Sequence, residues 1–244
     1  MADETSTDRL SKAPSYRVLY ADSIIKTLIR LEKRIDDRFR DRGIQEICLG
    51  LIDISRTVKT KSLALNKPHW MLRFFVGLIL LLGTLVFIYV GTLINFSKFS
   101  TEAGSFVQMI EQGVNSIMLI GLGLVFLIST ETRLKRRQAL KDLHELRSIV
   151  HVIDMHQLTK DPSVFLADRT STPNSPKQDL NQFEMVRYLD YCSEMLSLTA
   201  KLAALYSQNM EDPIVVNAVN DVEILALTLS RKIWQKIAIL EQNH

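Results

Sequence analysis

His144, His151, Asp154 and His156 are the densest set of metal-ligating residue types in this 244-residue chain. Residues seven apart share a helical face, so His144 and His151 stand about two turns, ~10 Å, apart. That is too far for one ion within a single chain. His156 follows five residues after His151 and lies well round the helix from it. None of these histidines has a Glu three residues before it, as a di-metal helical bundle would require. The expectation is therefore polar residues flanking a packed stripe, with no metal and no cofactor. A milder alternative is a pH-sensitive contact between His151 and Asp154 at i,i+3 spacing.

A second kind of chemistry would belong to a pore. Glu111 is followed by Asn115 and Ser116 at the head of an apolar run. In an oligomer such residues repeat as rings, and carboxylate rings select cations. In a single chain they mark a solvated loop. The basic string Arg133-Leu134-Lys135-Arg136-Arg137 has nucleic-acid chemistry. Its position directly beside an apolar run reads instead as contact with anionic lipid headgroups, so no nucleic-acid partner is expected. The sequence carries no G-x-S-x-G, phosphate-cradling glycine loop, H-E-x-x-H or paired-cysteine motif, and no enzymatic activity is expected.

The dominant elements are two apolar runs, Phe74 to Ile94 and Val114 to Thr130, each free of charge. A helical crossing of the hydrocarbon core needs about 17–25 such residues. Lys59, Lys61, Lys67 and Arg73 precede the first run; Arg133, Lys135, Arg136, Arg137 and Lys141 follow the second. The connecting stretch has Lys98 against Glu102 and Glu111. By the bias of Lys and Arg toward the cytoplasmic side, both termini are expected there. Met1 to Lys12 is polar, so the first span is expected to serve as an uncleaved internal anchor. Lys67, Arg73, Arg133, Lys135, Arg136 and Arg137 are the expected headgroup contacts.

The remainder reads as all-α. Residues 1–15 have a disordered composition. Over 16–67, Ala21, Ile24, Leu28, Leu31, Ile35 and Phe39 recur at spacings of three and four, then Ile44, Ile47, Leu51, Ile54 and Val58 do the same. Gly43 is the expected stop between them, giving a hairpin or one kinked helix. Residues 70–96 and 113–130 are the expected spans, joined by a loop over 97–112. Residues 131–158 contain neither Gly nor Pro and are expected to continue the second span as a stalk, with Ala139, Leu143, Leu146, Val150 and Ile153 as its stripe. Residues 159–179, with Pro162, Pro173 and Pro176, read as a linker. A helical hairpin is expected over 180–244: Val186, Leu189, Leu196, Ala203 and Tyr206 lie close to one face of its first helix, and Val219, Val222, Ala226, Leu229, Ile233, Ile237 and Leu240 to one face of its second, which is capped by Asp212 and begun by Pro213. Cys48 and Cys192 fit no metal or redox spacing, and a reducing compartment suits them.

The segment from His151 to Pro162 resembles part of a group of bacterial two-span inner-membrane proteins to which no function is assigned. Residues 187–205 and 231–237 are similar to the same group. The resemblance implies a bacterial inner membrane and implies no activity. The expected molecule is a transmembrane hairpin with a cytosolic helical bundle or coiled-coil-like hairpins, acting as a scaffold or adaptor for another protein. The alternative is a homo-oligomeric ion channel or small-solute pore lined by the second span.

Overall fold

The computed structural model describes residues 18–65, 70–93, 103–165 and 179–242. Among them every regular element is helical: α1 (Ala21–Phe39), α2 (Gly43–Leu65), α3 (Trp70–Leu93), α4 (Ala103–Leu158), a 3-10 turn (Pro162–Phe165), α5 (Gln182–Asn209) and α6 (Pro213–Glu241). The leader expected over 1–15 lies outside the described residues, as do residues 97–102 of the expected loop and 166–178 of the expected linker. The chain divides into two units, one built from residues 1–66 and 139–244 and one from 67–138. The boundary of the second falls within α4, a single helix of 56 residues. That helix begins at Ala103, so residues 103–112, expected as loop, are helical. The stretch has no proline to interrupt the hydrogen-bond ladder.

The first unit buries the stripes that the spacing predicts. Ile24, Leu28, Leu31, Ile35 and Phe39 of α1 lie in one core with Ile44, Ile47, Leu51 and Val58 of α2. Ala139, Leu143, Leu146, Val150 and Ile153 of α4 join them, with Val219, Val222, Ala226, Leu229, Ile233, Ile237 and Leu240 of α6. Each fully buried Leu or Ile contributes roughly 1.5–3 kcal/mol relative to exposure. α5 is buried on most of its circumference and contacts α1, α2 and α6. Helices before and after the second unit thus share one interior.

Two turns shape this unit. Between α1 and α2 the left-handed residue is Asp41, with φ 58°, rather than Gly43. Asp tolerates that region better than most side chains. The Gln45 side chain locks the turn by accepting from the Asp41 amide at 3.0 Å and donating to Asp36 at 2.9 Å. Gly43 opens α2, and its lack of a side chain has a different cause: a Cβ there would stand 3.0 Å from His156 Nε2. Between α5 and α6, Asp212 caps α6 by accepting from the Ile214 and Val215 amides, with Pro213 at the first position. At the other end of that hairpin Gln182 donates to the Leu240 carbonyl.

The second unit shows the opposite burial. Phe74, Ile79, Leu81, Ile117, Met118, Leu122 and Phe126 are all more than half exposed. Gly83 lies where α3 meets α4, because a Cβ there would be 3.7 Å from Ile120. Gly77, Gly121 and Gly123 have no such neighbour. Thr84 and Thr130 return their hydroxyls to the carbonyls of Leu80 and Phe126 in their own helices, each at 2.8 Å. Two helical stretches are long and apolar enough to cross a membrane, Gly113–Leu158 and Pro213–Glu241; Phe74–Val86 is a shorter apolar helix. None of the first stretch's apolar window is buried, against 28% of the second's. The hydropathy of α6 reflects the stripe it inserts into the first unit's core, as in a core helix.

Candidate functional site

The residues singled out by type do not assemble into a metal centre. His144 and His151 are exposed. Asp154 accepts from the Gln157 amide at 2.7 Å rather than meeting His151. His156 is tied through Nδ1 to the Val152 carbonyl at 3.0 Å and packs on Gly43. Among the described residues no three His, Cys, Asp or Glu side chains converge on a site for an ion. Glu111, Asn115 and Ser116 are exposed on α4. Of the expected headgroup contacts, Lys67 and the Arg73 side chain lie outside the described residues. Lys135 is half-buried and paired with Glu131 at 3.0 Å, while Arg133 and Arg137 are exposed and Arg136 is half-buried.

The spacing did not reveal two polar features of the core. Asp142 is 3% exposed, and it takes Lys61 Nζ at 2.7 Å and the Tyr206 hydroxyl at 3.1 Å. Burial, reinforced by the carboxylate of Asp142, pushes the Tyr206 phenol above its ordinary range. The signal was present: Asp142 sits on the stripe itself, three residues after Ala139 and four before Leu146. Lys236 closes the end of α4 by donating to the carbonyls of Gln157 at 3.0 Å and Lys160 at 3.1 Å, and to Gln157 Oε1 at 2.7 Å. A cation there suits the negative end of the helix, where the Gln157 carbonyl also accepts from the Lys160 amide at 3.1 Å. Burial lowers its pKa, against the raising influence of Asp161 and Asp154.

The chemically varied surface of the first unit lies where α1 and α6 flank the N-terminal half of α5. Arg34, Asp37 and Arg38 of α1 face Arg187 and Tyr191 of α5 across an open cavity of about 590 Å3. Arg34 forms a bidentate pair with Glu194, a contact that raises its pKa, and stacks 5.5 Å above Tyr191. Arg38 and Arg187 both stand over the ring of Phe183, at 5.1 and 5.5 Å. Arg187 also lines an adjoining trough of about 350 Å3 between α5 and α6, with Phe183, Val186, Trp234, Ile237 and Leu240. Phe183 is 57% exposed and Trp234 56%. Asp190, on the same rim, has its carboxyl raised above the usual range, first by burial and then by Glu194.

The buried cysteines take no part in this surface. Burial pushes the thiols of Cys48 and Cys192 up to about 12, leaving about one thiolate in ten thousand at pH 8. Iodoacetamide at that pH should leave both intact in the folded protein and alkylate both after denaturation. Rapid native labelling of either would contradict the packing of α2 or α5.

Comparison with protein-family models, with curated proteins and with solved structures finds no match for this chain.

Proposed function

We propose that the chain is an integral membrane scaffold in which α3 and the apolar part of α4 cross the bilayer, while the helical bundle presents a protein-binding surface in the cytoplasm. One observation carries the reading. Residues before 66 and after 139 share a single hydrophobic core, so the chain between them must leave and return on the same side of any membrane. An even number of crossings satisfies that condition, and the two apolar helices of the second unit supply two. Their exposed Phe, Leu and Ile side chains suit lipid, and the hydroxyls of Thr84 and Thr130 are satisfied within their own helices. The basic flanks favour the cytoplasmic side for the bundle. In the resembling group that membrane is the bacterial inner membrane.

The test uses the full chain in cells. Lys98→Cys should react with a membrane-impermeant maleimide in intact cells, and Thr170→Cys only after lysis. Equal labelling of the two would sink the topology. The mass of the purified protein in lipid nanodiscs then separates scaffold from pore. Four or more copies, with conductance altered by Glu111→Gln, would replace this reading with that of a channel.

A further inference from the structure

Resting on the scaffold reading, we infer that the surface shared by α1, α5 and α6 is the docking site for an acid-flanked amphipathic helix of a partner protein. Its apolar side would seat between Phe183, Val186 and Trp234, and its carboxylates would meet Arg38 and Arg187. Two aromatic rings, each more than half exposed, line one and the same trough and mark a surface fit for contact. A trough of about 350 Å3 holds two or three large side chains, as successive anchors of a helix in a groove require.

Charge selects the occupant. Arg34 is already held by both oxygens of Glu194. Arg38 forms no ion pair among the described residues, and Arg187 reaches Asp190 through one contact at 3.4 Å. Both guanidiniums are oriented over the Phe183 ring that forms the edge of the trough. Stacking restricts their rotamers in advance, and a planar guanidinium binds a carboxylate through two parallel hydrogen bonds. A partner carboxylate would compete with one long bond on Arg187 and with water on Arg38. Of the carboxylates lining the trough, Asp190 is that partner of Arg187 and Glu241 lies at the end of α6. The acidic flank of the incoming helix is thereby directed toward α1.

The probe is a fluorescein-labelled peptide with Leu and Trp at i, i+3, i+4 and i+7 and Glu at the flanking positions, titrated onto the full chain in phosphatidylcholine nanodiscs. Saturable binding should weaken about tenfold or more in Trp234→Ala and in the Arg38→Glu/Arg187→Glu double variant, both with unchanged circular dichroism. A peptide with Lys in place of Glu should bind at least about tenfold more weakly. Equal binding of the two peptides, or binding unaffected by both variants, overturns the inference. In native membranes a benzophenone side chain at position 186 should capture an acid-flanked apolar helix. Capture of a second copy, of phospholipid, or of nothing at this position overturns it too. A partner captured only from another face would do the same while leaving the scaffold standing. Failed topology labelling with intact peptide binding would remove the membrane reading and keep the site.

Discussion

Lys61→Met is expected to destabilise the bundle by about 3 kcal/mol, and Asp142→Asn by clearly less. The asymmetry comes from exposure. Lys61 is 35% exposed and can return to water when its partner is lost, whereas Asp142 at 3% cannot. Removing the lysine therefore leaves a carboxylate in the core without the ammonium that meets it at 2.7 Å. Asparagine at position 142 still offers the Tyr206 hydroxyl an oxygen to bond. The double variant Lys61→Met/Asp142→Leu removes both charges and should recover most of the loss, since buried ion pairs seldom outperform apolar packing. Urea unfolding of nanodisc-embedded protein, followed by far-ultraviolet circular dichroism, would measure all three. Equal losses for the two single variants would mean that Asp142 does not depend on Lys61.

Phe39→Ala is expected to cost about 3–5 kcal/mol, as for other buried aromatic truncations. Phe39 ends α1 and meets Tyr188 and Tyr191 of α5 edge-on, with ring centroids 5.6 and 6.0 Å apart. Such edge contacts add about 0.5–1.5 kcal/mol to the burial itself. Phe39 is a joint between the N-terminal hairpin and the C-terminal pair, so the loss should be local. Hydrogen exchange should accelerate in α1 and α2 while α5 and α6 keep their protection. Uniform acceleration throughout would show that the two hairpins unfold as one body.

The stripes of α1, α4 and α6 were legible because each helix buries one face, and a 3-4 rhythm reports a single face faithfully. α5 was harder. Leu189, Leu196, Ala203 and Tyr206 mark part of its interior and Val186 lines the trough, but Met185, Tyr188, Cys192 and Met195 are buried as well. A helix enclosed on most sides has no strong periodicity to read. The pairing of stripes was beyond periodicity altogether: Lys61 and Asp142 meet across 81 positions, and Asp142 and Tyr206 across 64. For the candidate site, no spacing or motif sets Arg34, Arg38 and Arg187 apart from the chain's other charges. Only the placement of α1 beside α5 turns two of them toward one phenylalanine. Phe183 fell outside the expected stripe for the same reason, since it faces a trough rather than the core.

The shared core also sets an order in time. Leu65 leaves the ribosome 141 residues before Tyr206, roughly ten seconds or more at ordinary rates of synthesis. Throughout that interval α1 and α2 have only each other, with the faces meant for α4 and α5 uncovered. Their hairpin must stay soluble while the apolar segments that follow are synthesised. A nascent chain stalled just after residue 138 should thus be the species most prone to aggregation and most attractive to chaperones. Completion of α5 then ends that vulnerability.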